Sequence, residues 1–384
     1  MNTNISKMIM NAVFACIIGG LAFTVGTAPS VAADTPAIKS GPPLNPEVPF
    51  LADWISSPHA DWKSEAFIHW DKDGVVPEAC ARCHSGTGFI DFMGADGSTP
   101  GKVDHPAAIG SVITCVTCHN EATLDLSSVT FPSGLTVKKQ GKSARCMQCH
   151  QGRESTFSVE KSIKGMDDDT VSKKIKFRNV HYRAAGATLM GTLAKGGYEY
   201  SGLNYAGSIK HKEGVNECTE CHNPHRAEVR VALCTSCHKE VIARKDLITI
   251  RDGDSKTDFD GDGNIFEGIG GEVGGLHSLL YKAIQAYAKT IAKKPIGYDA
   301  HAYPYFFNDS NGNGVIDKEE ANRKNSFKGW TPRLLRAAYN YQFVAKDPGA
   351  YAHNGPYTIQ LLVDSLNDLA KKVPGVNKAV VRAK

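Results

Sequence analysis

The chain has 384 residues, a formal net charge of +4 and a hydrophobic content of 41%. These values are those of an ordinary globular protein of two or three domains, and they exclude a disordered or strongly basic chain. We therefore expect no nucleic-acid partner.

Residues 1–33 have the parts of a secretory signal peptide. Lys7 is the one charged residue, an apolar run follows at 8–23, and Val31 and Ala33 stand at positions −3 and −1 of a cleavage site. The sequence predicts an exported protein, periplasmic, extracellular or at the cell surface, with no membrane span after cleavage.

Two alternatives to cleavage stay open. The apolar run could be a retained membrane anchor, although it is short for a span and is interrupted by Asn11. Cys16 could instead be lipid-modified, although the residues before it are a poor lipidation signal and the apolar run continues past it.

Three regions follow the signal peptide. Residues 34–50 are rich in proline and are predicted to form an extended leader. Residues 51–245 contain all five copies of the pentapeptide Cys-x-x-Cys-His, whereas residues 246–384 contain no cysteine and show helical periodicity. We predict two domains with a boundary at 245/246.

The pentapeptide is the attachment signature of c-type haem. Its two thiols form thioethers to the haem vinyl groups, and its histidine is the proximal iron ligand. Structural zinc and disulfides also use Cys-x-x-Cys pairs, but neither needs a histidine after every second cysteine. Motifs 1 to 5 are Cys80, Cys83 and His84; Cys115, Cys118 and His119; Cys146, Cys149 and His150; Cys218, Cys221 and His222; and Cys234, Cys237 and His238.

The motifs predict a pentahaem c-type cytochrome domain. The intervals between successive motifs are 30, 26, 67 and 11 residues, so no repeat period is present. In such a protein the haems themselves form much of the core, and loops with a short helix at each motif wrap them. The predicted fold is mainly α with extensive loops, and it comprises this haem domain and a helical C-terminal domain.

The C-terminal region contains three predicted helices. One spans about 274–293, a second begins at Thr331-Pro332 with an N-cap and a proline at the first helical position, and a third spans about 356–372.

Residues 309–320 match the twelve-residue EF-hand calcium loop throughout. A surface turn is the alternative. Because the loop has only three carboxylates, we expect modest affinity for calcium. The bound calcium would have a structural role and would not act as a sensor. The predicted oxygen ligands are Asp309, Asn311, Asn313, the carbonyl of Val315, Asp317 and Glu320.

A second, incomplete calcium loop begins at Asp258. Asp258, Asp260 and Asp262 match the first half of the pattern, but position 12 is Ile269. Glu267 or Glu272 would have to supply the missing carboxylate.

The distal ligands are predicted from a resemblance to multihaem cytochromes. Trp54-Ile55-Ser56-Ser57-Pro58-His59-Ala60 resembles a segment that supplies an axial histidine in several such families, and Cys-His-Asn-Pro-His at 221–225 resembles a variant whose second histidine binds a neighbouring haem. Ala352-His353-Asn354 is similar to a His-Asn pair that closes a haem face in nitrite-reductase-like and octahaem cytochromes. The resemblance implies the distal ligands His59, His181, His225 and His353. His211, seven residues before Cys218, is the fifth choice, ahead of His105 and His69.

These features predict an electron carrier with closely spaced bis-histidine haems. Its partners would be redox proteins or extracellular electron acceptors. The alternative is a reductase or oxidase of a small nitrogen or sulfur compound with one open haem. Nitrite reductases of this broad kind have lysine in place of the motif histidine at the catalytic haem, whereas all five motifs here end in histidine. An assembly role as a homo-oligomer or haem filament also stays open.

Overall fold

Helices and loops form nearly all of the structure, which is a computed structural model describing residues 48–211, 215–251 and 255–384. The signal peptide and most of the leader, including Cys16, lie outside these residues. The fourteen helices of the described residues are α1 Leu51–Ile55, α2 Glu65–Ile68, α3 Glu78–His84, α4 Gly86–Met93, α5 Cys115–Cys118, α6 Glu121–Leu124, α7 Ser143–Met147, α8 Thr156–Ile163, α9 Ala185–Met190, α10 Cys218–Cys221, α11 Val231–Cys234, α12 Ile269–Thr290, α13 Pro332–Ala345 and α14 Ala350–Ala370.

The strands are short and pair into four antiparallel two-stranded sheets. The prediction of a mainly helical chain with extensive loops is therefore confirmed. The pairs in the described residues are β1 Val75–Val76 with β2 Ala107–Ala108, β3 Val129–Thr130 with β4 Thr136–Val137, β5 His222–Asn223 with β6 Glu228–Val229, and β7 Ile296–Tyr298 with β8 Phe306–Asn308.

The three predicted C-terminal helices are present, but α12 and α14 both begin earlier than predicted, α12 at Ile269 instead of about 274. In α13, the Thr331 side chain accepts a hydrogen bond from the amide of Leu334, and Pro332 occupies the first turn, as expected. In α14, the helix begins at Ala350 instead of 356, and non-helical φ/ψ angles at Asn354 produce a kink just before Pro356. A proline inside a helix removes a backbone hydrogen bond and is more common at a helix start. The sequence therefore predicted that the helix begins at Pro356, where the structure has a kink inside a longer helix.

The main hydrophobic core surrounds α12, α13 and α14. Leu280, Tyr339 and Leu362 are fully buried in it, and these helices pack against α9 and α8 from the region between motifs 3 and 4. The core therefore contains residues from both sides of position 245. The division into two domains stays a prediction, and residues Phe50–Lys384 form one compact unit.

Polar side chains attach the segment at 179–199 to α13. The Gln342 side chain accepts from the amide of Val180 at 2.9 Å, and the Asn340 side chain accepts from the amide of Tyr198 at 2.7 Å. Because these backbone amides are buried and satisfied, the segment is fixed relative to the helices. It carries His181 toward motif 1.

Candidate functional site

Each attachment motif forms one tight helical turn. The histidine amide donates to the carbonyl of the first cysteine at 2.9 Å in motif 2, 3.0 Å in motif 3 and 2.8 Å in motif 5. Motif 4 contains the same bond, and motif 1 lies within α3. This turn brings both thiols and the imidazole of a motif together, as a covalently bound haem requires.

The structure brings each motif histidine next to a histidine from a distant part of the chain. The ring centroids lie 5.6–6.4 Å apart in all five pairs. The distal member of every pair is one of the five histidines that the sequence analysis selected. The pairs are His84–His181, His119–His225, His150–His59, His222–His353 and His238–His211.

This spacing fits an iron ion between the two rings. A metal–imidazole bond is about 2 Å long, so two nitrogens on opposite sides of a metal lie about 4 Å apart, with ring centroids roughly 6 Å apart. Four pairs have centroid separations of 6.2–6.4 Å. In the fifth, the Nε2 atoms of His84 and His181 lie 3.3 Å apart, so these two rings would have to separate by about 0.7 Å to hold a metal between them. The residues present therefore fit bis-histidine haem.

The His84–His181 pair is held from both sides. His84 Nδ1 lies 2.8 Å from the carbonyl of Ala66, so Nε2 is the nitrogen left for a metal. His181 adopts φ = 75°, in the left-handed region. Burial and the charge of His84 lower the pKa of His181 to about 4, which keeps the ring neutral as a ligand must be.

The His150–His59 pair lies beside α1. The Trp54 indole donates to the carbonyl of Ile113 at 2.8 Å, and the amide of Ile113 donates to the carbonyl of His59 at 3.1 Å. Desolvation, aided by the charge of His59, lowers the pKa of His150 to about 4. Trp54 thus orients the segment that carries the distal histidine.

His225 is placed by the hairpin of β5 and β6. The Asn223 side chain accepts from the amide of His225 at 3.0 Å, an Asx turn that reverses the chain after motif 4. The His225 ring stacks on Phe50, with centroids 4.4 Å apart, and faces His119. His222 and His225 therefore serve two different pairs.

His353 lies at the start of α14, immediately before the kink. Asn354 donates to the carbonyl of Gly207 at 2.8 Å and accepts from the amide of Tyr357 at 3.1 Å, which fixes the kink. The buried carboxylate of Asp347 lies beside Nδ1 of His353. The sequence analysis did not identify Asp347, because a single Asp-Pro step has no distinctive pattern.

The other four histidines have different surroundings. His69 is 56% exposed and His105 is 67% exposed on their side chains, and His301 is also exposed. His277 stacks on Tyr341 at 4.0 Å, and its Nε2 lies 2.9 Å from the Tyr341 carbonyl. These histidines have surface or packing positions.

The attachment motifs contact one another. Cys83 Sγ lies 3.8 Å from the carbonyl of Gln148, and Cys149 Sγ lies 3.6 Å from the carbonyl of Arg82, so motifs 1 and 3 meet reciprocally. A hydrogen bond from Cys149 lowers the pKa of the Cys83 thiol to about 6.

The helix α7, which leads into motif 3, also contacts motifs 2 and 4. Arg145 donates to the carbonyl of Cys118 at 3.0 Å, and the amide of Cys218 donates to the Ser143 hydroxyl at 2.9 Å. Motif 5 follows motif 4 closely, because the amide of Arg230 donates to the Cys221 carbonyl at 2.8 Å. The five motifs therefore form one continuous set.

The loop at 309–320 has the hydrogen bonds of an EF-hand turn. The Asp309 carboxylate accepts from the amides of Gly312 and Gly314 at 2.8 and 2.9 Å, and both glycines adopt positive φ. Glu320 accepts from the amide of Ser310 at 2.6 Å, so the first and last positions of the loop face the same centre. The Gln285 side chain of α12 donates to the Gly314 carbonyl at 2.7 Å.

The second loop repeats this arrangement with a displaced final glutamate. Asp258 accepts from the amides of Gly261 and Gly263, and Glu272 accepts from the amide of Phe259 at 2.7 Å. Glu272 therefore has the position that Glu320 has in the first loop.

The second loop contains two groups of three neighbouring carboxylates, each able to hold a metal ion. Asp258, Asp260 and Asp262 form one, and Asp260, Glu267 and Glu272 form the other, with ligand atoms within 4.8 Å in each. Burial and neighbouring carboxylates raise the pKa of Asp260 to about 6 and that of Glu267 to about 7. This concentration of negative charge suits a divalent cation.

The chain is similar to two curated cytochromes of Geobacter sulfurreducens. C-type polyheme cytochrome OmcB is 26% identical over 378 residues, which cover 80% of this chain and 46% of OmcB. C-type polyheme cytochrome OmcC is 27% identical over 389 residues, which cover 82% of this chain and 46% of OmcC. The chain thus spans about half the length of the curated relatives that it matches.

The similarity supports a multihaem c-type cytochrome that carries haem c. No family model and no solved structure matches the chain. Within the described ranges, no helix is both long and apolar enough to cross a membrane.

Proposed function

We propose that the chain is an exported pentahaem c-type cytochrome that carries electrons through five bis-histidine haem sites. The observation that supports this most strongly is the set of five histidine pairs, each with one motif histidine and one distant histidine. Bound haem would supply one-electron redox chemistry between ferric and ferrous iron. With a histidine on each side of it, the iron of a bound haem would have no position left for a substrate.

The contacts between motifs support a continuous electron path. Motif 3 and the helix α7 that leads into it contact motifs 1, 2 and 4, and Arg230, four residues before motif 5, contacts motif 4. His222 and His225, three residues apart, belong to the pairs of motifs 4 and 2. Neighbouring sites in such a set exchange electrons without a mobile carrier. The proposed partners are redox proteins or extracellular acceptors, met in the periplasm or outside the cell.

Calcium in the two acidic loops is part of the proposal. Both loops lie against α12: Gln285 donates to the first loop, and Glu272 at the start of α12 accepts from the second. Oxygen ligands from Asp, Asn and Glu are those that calcium prefers. A calcium ion in each loop would stabilise the C-terminal helices.

Three measurements on the exported holoprotein test the function. Intact mass should equal the cleaved polypeptide plus five haems, and fewer haems or bound zinc would contradict the pentahaem assignment. Electron paramagnetic resonance should show low-spin ferric haem alone, and the reduced protein should give no new optical band with carbon monoxide. A high-spin signal accompanied by turnover of nitrite, hydroxylamine or tetrathionate would instead identify a reductase.

A further inference from the structure

A buried carboxylate contacts the distal histidine of motif 4. Asp347 lies in the connection between α13 and α14, and its side chain is 3% exposed. Its two oxygens lie 2.9 and 2.8 Å from Nδ1 of His353. The amide of Gly349 donates to this carboxylate at 3.2 Å, and the hydroxyl of Thr188 lies beside it.

The His353 ring is confined between this carboxylate and the backbone. A Cβ atom at Gly349 would lie 2.8 Å from Cε1 and 3.3 Å from Nδ1 of the ring, closer than packing allows. Glycine at position 349 is therefore needed for the ring to occupy this position. Because Asp347 engages Nδ1, Nε2 remains for a metal between His353 and His222.

The other histidine pairs have different partners. His84 Nδ1 lies 2.8 Å from a neutral carbonyl, and His181 Nδ1 is buried with no hydrogen-bond partner among the described residues. Glu240 is 3.7 Å from His238 Nδ1, but its side chain is 58% exposed, so solvent screens its charge. Asp347 thus gives the motif 4 pair a desolvated negative charge at hydrogen-bonding distance.

Lys346, the residue before Asp347, places a positive charge near the His84–His181 pair of motif 1. The Lys346 ammonium lies 3.5 Å from the ring centroid of Tyr182, which follows His181. Arg153 adds a second cation near His84 and His181. The motif 1 pair therefore faces positive charge, and the motif 4 pair faces negative charge.

We propose that Asp347 is a positioning residue that lowers the reduction potential of the haem attached through motif 4. A carboxylate that accepts the Nδ1 proton makes the imidazole a more basic ligand. Its negative charge, in a poorly solvated site, also favours ferric over ferrous iron. This inference rests on the proposed function, in which His222 and His353 bind one iron.

The test is a potentiometric titration of the holoprotein with Asp347→Asn. Asparagine can still accept from Nδ1, so ligation is retained while the charge is lost. One of the five one-electron steps should move to higher potential by about 59 mV, which corresponds to a tenfold change in the ferric-to-ferrous ratio. The other four steps should not move.

Asp364→Asn is the matched control. Asp364 has the same 3% side-chain exposure and pairs with Arg382 at 2.9 Å, but it is eleven residues after His353 along α14, which is about 16 Å at 1.5 Å per residue. All five steps should match those of the wild type. If Asp347→Asn also leaves every step unchanged, the proposal is wrong.

Thr188→Val gives an independent test with the opposite sign. The threonine hydroxyl beside the carboxylate partly offsets its negative charge. Without the hydroxyl, the imidazole would be exposed to more of that charge, so the same step should move to lower potential. An unchanged titration would overturn the proposal even if Asp347→Asn failed to fold. Failure of the proposed function is distinguishable, because the wild type itself would then show a high-spin haem.

Discussion

At the residue scale, local backbone conformation places two of the distal histidines, His181 and His353, opposite their motif histidines. His181 occupies the left-handed region at φ = 75°, and His353 precedes a residue with φ = −163° and ψ = 82° inside a helix. The left-handed conformation of His181 persists because surrounding contacts determine it. For His181 the neighbouring amide is held by Gln342, and for His353 the kink is held by Asn354.

His181→Ala should open one axial position at motif 1. Its ring faces His84 with 3.3 Å between the Nε2 atoms, so its removal leaves one iron with a single protein ligand on the histidine axis. We expect about one fifth of the haem to become high-spin and the reduced variant to acquire a carbon monoxide band. His301→Ala, at an exposed histidine, is the control. Identical spectra for the two variants would show that His181 is not a ligand.

The sequence predicted some of these residues and not others, for a physical reason. Motif residues such as Cys80 and His84 lie within five positions, so their chemistry is visible locally. His84 and His181 are 97 positions apart, and only the fold brings them together. Asp347 and Thr188 meet because α9 packs on α14, a contact that neither local sequence encodes.

At the element scale, periodicity predicted the helices α12 to α14. The contacts that hold these helices together include ion pairs and hydrogen bonds to Asp169, which lies in a loop. The Asp169 carboxylate accepts from Arg333 Nε at 2.8 Å and from the Tyr287 hydroxyl at 2.7 Å. Lys372 lies 3.2 Å away. This network connects α12, α13 and the residues after α14, and no single element's pattern indicates it.

Asp169→Asn should destabilise the helical core by about 1–2 kcal/mol at neutral pH. Burial opposes ionisation of Asp169, but the bonds from Arg333, Tyr287 and Lys372 outweigh it and lower the pKa to about 2. A lowered pKa gives stability that is present above the unfolded value near 4 and is lost as the pH falls through 2. Denaturant titrations of wild type and variant should therefore converge at low pH. Asp71→Asn, at an exposed site, should match the wild type throughout.

Asp309→Ala with Glu320→Ala should remove one calcium ion per chain. Calcium that binds only the folded form stabilises it by about 1.4 kcal/mol when its concentration is ten times the dissociation constant. The variant should melt at lower temperature in calcium and should bind one ion where the wild type binds two. Glu319→Ala, at an exposed neighbour, is the matched control. Unchanged stoichiometry in the double variant would place the ion elsewhere.

At the scale of the whole molecule, buried hydrophobic residues are unevenly distributed. The large cluster contains residues of α12, α13 and α14 together with the region from Val129 to Tyr198. Around motif 1 the separate cluster has four buried members: Val76, Ala81, Val103 and Ala107. In the described residues 215–251, Val241 is the buried hydrophobic residue. We therefore propose that bound haem would supply the apolar interior of the regions around motifs 1, 2, 4 and 5.

This distribution predicts which parts of the chain fold without haem. In protein produced without haem attachment, α12 to α14 should keep slow amide exchange, because they bury their own hydrophobic faces. Residues 51–125 and 215–251 should exchange rapidly, and attachment of haem should protect them. The control is the haem-free Asp169→Asn variant, in which the helices should exchange faster while the two haem-dependent regions stay as they were. Uniform protection of the haem-free chain would contradict the idea that haems form part of the core.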